Sequence, residues 1–229
     1  MSSAEIPPEI LRDDSKRREL RTLFITMMTL PTVVVLIRTW SRALLPAFHM
    51  SKIPNKFWWD DWTVYIALAL NIATCGMCLK LLDLGLGFHR QVVPQGVEPF
   101  LKLFWALYYV FDTGTAVSKA SALFFYARLF GIANTRFKHA LWVVHAMNGI
   151  WLVGVLLRAL FMCSPIEKAW KSELPGHCNN TSVSWLGSVI SSLVIDIIIL
   201  VLPLPILWNL HMKAVRKIQI TGVFVCGYL

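Results

Sequence analysis

LFWALYYVFDTGTAVSKASALFFYARLF, Leu103–Phe130, decides the fold. The stretch has the length and apolar content of a membrane-spanning helix, yet it carries Asp112 and Lys119 inside it. A charged side chain at the bilayer centre costs about 2.5–3.5 kcal/mol on insertion scales. Two such residues persist only where an interior face hides them. Trp105, Asp112, Lys119 and Tyr126 recur at seven-residue intervals, so at 3.6 residues per turn they share one stripe. Gly114, Ser118 and Ala122 form a small-residue ridge beside that stripe, where another backbone can approach closely. The spacing predicts a central helix with neighbours on several sides.

The rest of the chain supplies those neighbours. Of 229 residues, 56% are hydrophobic and 15% charged, mean hydropathy is +0.59, and there are ten tryptophans. Soluble domains are about 25% charged, so an ordinary soluble domain is excluded. The net charge of +9 comes from short basic clusters between apolar runs. Such clusters read as topology signals and lipid-headgroup contacts, not as a nucleic-acid surface. The five cysteines form neither a disulfide framework nor a zinc set; Cys75 and Cys78 lie in an apolar run and read as packing.

Residues 1–20 form a polar tail of mixed charge, and residues 21–229 a transmembrane domain. The first span is Thr22–Ile37, with a kink expected at Pro31. It closes at Arg38-Thr-Trp-Ser-Arg42. The second, Asp61–Leu82, opens on Phe57-Trp58-Trp59-Asp60-Asp61-Trp62, an aromatic belt with two aspartates at a helix N-terminus. The plain reading is belt plus cap. The sharper one pairs Asp60 and Asp61 with Arg38 and Arg42 in a rim lock between the first two spans. Gly85-Leu-Gly87 reads as turn chemistry. The third span is Leu103–Ala127, ended by Arg128. The fourth, Ala140–Met162, carries Arg158 near its end and His145, read as a helix–helix hydrogen-bonding residue. The fifth, about Val183–Leu207, carries Asp196 and should bend or stop at Pro203 and Pro205. Ile218–Leu229 is apolar but shorter than about 30 Å of hydrocarbon requires. The fold expected is all-α, a polytopic transmembrane bundle of five full spans plus a partial sixth, truncated at the C-terminus.

The loop before the fifth span orients the bundle. Cys163 and Cys178 bracket it, which fits a disulfide in an oxidising compartment. Asn179 and Asn180 head overlapping glycosylation sequons. Together they place this loop, and with it the N-terminus, outside. Basic residues near the opposite span ends (Arg38, Arg42, Lys52, Lys56, Arg128, Arg136, Lys138, Lys213, Arg216 and Lys217) agree with a positive interior. Arg12, Lys16, Arg17, Arg18 and Arg21 of the tail run against it.

Several segments together resemble the fungal rhodopsin-domain family of seven-span, receptor-like membrane proteins. They are Arg38-Thr-Trp-Ser-Arg42, Asp60-Asp61-Trp62, Gly85-Leu-Gly87-Phe-His89, Lys119–Phe130, Cys163-Ser-Pro165 with Trp170 and Cys178, Asp196 with Leu202-Pro203-Leu-Pro205, and Arg216-Lys217-Ile218. The resemblance implies an N-outside topology and seven spans. It does not imply retinal: the opsins' retinal lysine lies on a seventh helix, whereas Lys119 is on the third, so no cofactor is expected.

These readings predict a receptor-like sensor of an extracellular cue, in the plasma membrane. Its partners would be the lipid bilayer, an unknown extracellular ligand and a cytoplasmic G protein, and not nucleic acid. The buried ion network comprises Asp112, Lys119 and Asp196. Asp112 lies about 10 Å from Lys119 along the helix, so Asp196 is the better partner. Arg128 stands at the cytoplasmic end of the third helix, where signalling receptors often keep an arginine. The alternatives are a transporter or proton-coupled carrier using the intramembrane charges, and a structural or vestigial membrane protein. No nucleophile–base set or cofactor motif is present in the sequence, so an enzyme is not expected.

Overall fold

The computed structural model of the chain describes residues 14–48, 59–86, 97–130, 135–171, 174–179 and 181–205. Among them are five long helices: α1 (Asp14–Phe48), α2 (Trp59–Asp83), α3 (Val97–Phe130), α4 (Thr135–Leu160) and α5 (Thr181–Val201). The shortest, α5, has 21 residues, and at 1.5 Å per residue that matches about 30 Å of hydrocarbon. α2, α4, Arg17–Ser41 of α1 and Val183–Val201 of α5 are apolar enough as well as long enough to cross a membrane. α3 has 34 residues and carries Asp112 and Lys119 in its interior. Its position explains how that is tolerated. Leu30, Ile37, Ile150, Val183, Ile190 and Leu193 on the other helices are exposed, whereas Asp112, Ala116, Lys119, Leu123 and Tyr126 of α3 are buried. An apolar exterior around a polar interior helix is the arrangement a bilayer selects.

Close backbone contact holds α3 in place. Its seam with α2 is the most extensive among the described residues, and α3 also packs against α4 and α5. A Cβ on Gly114 would stand 3.4 Å from the Leu70 Cβ, so the small-residue ridge does face a neighbouring helix. Towards its C-terminal end, Leu123 and Tyr126 join Phe137, Leu141 and Val144 of α4 and Ile195 and Ile199 of α5 in one apolar cluster. Polar cross-ties supply further attachment, since helices in lipid gain little from hydrophobic contact alone. Asn148 Nδ2 donates to the Ala116 carbonyl at 2.9 Å, and Asn71 Nδ2 to the Met27 carbonyl at 3.1 Å. Trp151 Nε1 donates to the Ser188 carbonyl at 3.3 Å.

Several elements differ from the sequence expectation. α1 runs for 35 residues straight through Pro31 and begins at Asp14, so part of the expected tail is helix. Arg17 explains that extension: its guanidinium donates to the Leu82 carbonyl at 2.8 Å, placing a cation at the C-terminus of α2. That end of α2 closes through Gly85, whose φ of 111° suits glycine. Leu86 N–H reaches the Leu81 carbonyl and Gly85 N–H the Leu82 carbonyl, a Schellman closure. α5 stops at Val201, two residues ahead of Pro203, as a proline requires of the residues before it. His145 does not bridge helices by a hydrogen bond through Nε2, which is buried without a partner among the described residues. Its ring instead lies 4.6 Å from that of Phe124 on α3. The expected basic connector of Lys213, Arg216 and Lys217, and the partial sixth span, lie outside the described residues.

Between α4 and α5 the chain adds a small β-element that an all-α reading lacks. Strands β1 (Cys163–Ser164) and β2 (His177–Cys178) pair antiparallel with Cys163 opposite Cys178, and those cysteines form a disulfide. A short 3-10 helix, Ile166–Ala169, lies between them. Gly176 is required there, because a Cβ would collide with the Ser164 carbonyl. Trp170 then sets its ring edge-on to Trp105 at 5.5 Å, fastening the loop to the first turns of α3. Trp105 Nε1 donates to the Ala159 carbonyl at 3.3 Å, so α3, α4 and the loop converge at this end of the bundle.

Candidate functional site

The stripe along α3 comprises Trp105 at the disulfide end, Asp112, then Lys119, and Tyr126 towards the opposite end. Lys119 is 4% exposed. Its Nζ lies 2.8 Å from Asp196 Oδ2 on α5 and donates to both the Ser192 carbonyl and Ser192 Oγ at 2.7 Å. The Trp151 ring of α4 lies beneath the ammonium, 5.5 Å from Nζ to the centroid. A buried ammonium with three donors is thus held by a carboxylate, two neutral oxygens and an aromatic face. The sequence reading did not include Ser192. It sits one turn before Asp196, and that i, i+4 polar pair in an otherwise apolar helix is the signal that could have found it.

Asp112 does not join this pair. It is 8% exposed, and its carboxylate makes no hydrogen bond or ion pair among the described residues. It faces a cavity of about 260 Å³ between α3, α4 and α5. Arg158 of α4 and Asp196 also line that cavity, so the Lys119–Asp196 pair borders it. Asp196 is 32% exposed on its side chain, reaching this space with the part that Lys119 leaves uncovered.

At the opposite end of the bundle a second charge cluster ties three helices together. Asp60 of α2 is fully buried. Arg38 of α1 reaches its Oδ2 at 2.8 Å, and Arg128 of α3 reaches its Oδ1 at 3.1 Å. Both guanidiniums also approach Asp61, at 3.4 and 3.6 Å. Ser121 Oγ lies 3.5 Å from the Asp60 carbonyl, and the Arg38 guanidinium stands 5.9 Å from the Phe125 ring centroid. Thr39 Oγ1 and the Tyr65 hydroxyl share a further hydrogen bond of 3.0 Å across α1 and α2. The cluster is wider than the two-helix lock expected from sequence: Arg128 brings in α3. The side chain of Arg42, the other expected partner, lies outside the described residues. Asn179 is exposed beside the disulfide, with its amide on the Met162 carbonyl at 2.9 Å; Asn180 lies outside the described residues.

An apolar-shelled helical bundle, charged at its interior and sealed at one end by a disulfide hairpin, defines a polytopic membrane protein. Within that class, the profile of the Fungal rhodopsin domain matches residues 22–229, and the chain belongs to that family. It is 27% identical over 216 residues to the Polyenoic acids biosynthesis gene cluster protein Ba17b of Metarhizium anisopliae, covering 90% of this chain and 55% of that protein. It is 28% identical over 145 residues to a SAT4 family membrane protein of Emericella nidulans, covering 62% and 38% respectively. With the Wortmanamides biosynthesis cluster protein C of Talaromyces wortmannii it shares 24% identity over 183 residues, 78% of this chain and 50% of the relative. The chain therefore spans about half the length of these relatives or less. No solved structure matches it.

Removing one member of a buried ion cluster leaves its partners uncompensated, at a cost of about 3–5 kcal/mol. Asp60→Ala leaves Arg38 and Arg128 only their longer contacts with Asp61 and should destabilise the bundle by up to that amount. Arg128→Met, whose side chain is 35% exposed, should cost clearly less. Reversible unfolding in mixed detergent micelles measures both; equal losses would contradict the ranking.

Proposed function

We propose that the chain is a receptor-like sensor in the plasma membrane, with its N-terminus and the disulfide loop outside. The observation that carries this reading is the placement of one interior ion pair. Lys119 and Asp196 join α3 to α5 at the border of a cavity that lies towards the disulfide end. A molecule entering that cavity touches the same helices that the pair holds together. A packed bundle with a charge pair between two of its helices is an element that a ligand can bias. The rim cluster of Arg38, Asp60, Asp61 and Arg128 stands at the far end of α3, on the cytoplasmic side in this orientation, where a shift of α3 would be felt by a G protein.

The disulfide and the sequon at exposed Asn179 support the outside assignment of the loop. Several relatives are named for biosynthesis gene clusters. We take the cue to be a small molecule of the kind such clusters make, read at the cell surface without chemical change to it. No observation favours a carrier or a purely structural role over this reading.

In the proposed orientation the loop meets the glycosylation machinery. The chain expressed in a eukaryotic host should show a glycosidase-sensitive mobility shift that is lost when Asn179 and Asn180 are both changed to Gln. An unshifted band from the unaltered chain would contradict the orientation. For the sensor role, vesicles holding the chain and a fungal heterotrimeric G protein should exchange guanine nucleotide several-fold faster with an organic extract of Metarhizium anisopliae culture medium. Exchange no faster than in vesicles lacking the chain contradicts the role.

A further inference from the structure

The cavity between α3, α4 and α5 is lined by two opposite charges that attract across it without a direct ion pair. Asp112 is more than nine-tenths buried and faces the cavity with no hydrogen bond or ion pair among the described residues. Arg158 lines the same space from α4. Its guanidinium packs against α5, with a nitrogen 3.8 Å from where a Cβ on Gly187 would stand. No carboxylate oxygen of the described residues lies within the 4.0 Å of an ion pair with it. Lys119, by contrast, has a carboxylate, a hydroxyl and a carbonyl. Arg158 offsets the charge of Asp112 but supplies it no hydrogen bond, and a buried carboxylate that accepts none is costly, so its retention beside a cavity points to something that binds it.

We propose that this cavity is a binding site for a small, mainly aromatic molecule with a neutral head group that both donates and accepts hydrogen bonds, such as a carboxamide. This rests on the sensor reading and names the chemistry of its cue. The head sits between Asp112 and Arg158, donating to the carboxylate and accepting from the guanidinium. The two residues' charges cancel, so a neutral head leaves the cavity neutral. An ammonium would meet Arg158 and a carboxylate would meet Asp112, and in a low-dielectric site either like-charge contact is costly. Trp105, Tyr108, Trp151 and Trp185 line the remainder of the cavity and supply an aromatic wall for the body of the molecule. Its volume of about 260 Å³ has room for a single substituted ring.

The site is also wired to the ion pair. Trp151 contacts the Lys119 ammonium through its ring face, and Ser192 and Asp196 border the cavity. A ring placed against Trp151 therefore lies one side chain from Lys119.

Three probes share one ring and differ only at the head: 2-phenylacetamide, 2-phenylethylamine and phenylacetate. With the chain in lipid nanodiscs, saturation-transfer NMR and thermal unfolding read binding directly, with no signalling step. The amide should bind at least tenfold tighter than either charged probe. Asp112→Leu and Arg158→Met should each weaken it at least tenfold, while both variants stay folded, since neither breaks a hydrogen bond or a direct ion pair. A loss confined to unfolded protein is recognised by helical content. Charged probes binding as well as the amide, no binding by any of the three, or amide binding unaffected by Asp112→Leu would overturn the proposal. Amide binding without any effect on nucleotide exchange would sink the sensor role and leave the site standing.

Discussion

Charge buried in a medium that cannot solvate it is the constraint on which this structure depends. Lys119 sits in the middle of a bundle whose outer surface is made of Leu, Ile, Val and Trp. It is tolerated because α5 brings Asp196 and Ser192 to it and α4 brings the Trp151 ring. One ammonium thus sets the distance and rotation of three helices at once. The same logic operates at the other end, where Asp60 draws α1 and α3 onto α2 through Arg38 and Arg128. Helices that would otherwise slide in lipid acquire a fixed register from these two points.

Between these two anchors the packing is of the ordinary kind for membrane helices. Gly114 lets α2 approach α3 closely, and the cluster around Leu123 and Tyr126 seals α3 against α4 and α5. At the remaining end the disulfide hairpin carries Trp170 onto Trp105, so the loop is fastened to α3. The cavity that borders the Lys119 pair between α3, α4 and α5 is also where Asp112 stands without a hydrogen bond.

Local pattern made much of this legible in the sequence. The seven-residue recurrence of Trp105, Asp112, Lys119 and Tyr126 on one helix face follows from helix geometry, as does the close approach at Gly114. The bracketing cysteines lie near enough in the chain to suggest their bond. The family, too, could be read from short segments in order. What resisted reading was the non-local part. Arg128 and Asp60 are far apart in the chain and meet only once α2 and α3 pack. Ser192 gains its meaning from Lys119. Whether Asp112 pairs with Lys119 or stands alone depends on the rotation of α4 and α5, which no periodicity encodes. The start of α1 at Asp14 was missed because the first span's boundary was taken from hydropathy, whereas a hydrogen bond from Arg17 to α2 holds the added turns in place.

A double-mutant cycle at the centre tests the account most directly. Asp196→Leu leaves the buried Lys119 ammonium without its carboxylate and should lower stability by about 3–5 kcal/mol, whereas Lys119→Met leaves the partly exposed Asp196 alone and should cost less. The double variant, in which neither charge remains, should recover most of that loss, giving a coupling energy of at least about 2 kcal/mol by reversible unfolding. A double variant no more stable than the worse single one would contradict the claim that this pair holds α3 to α5.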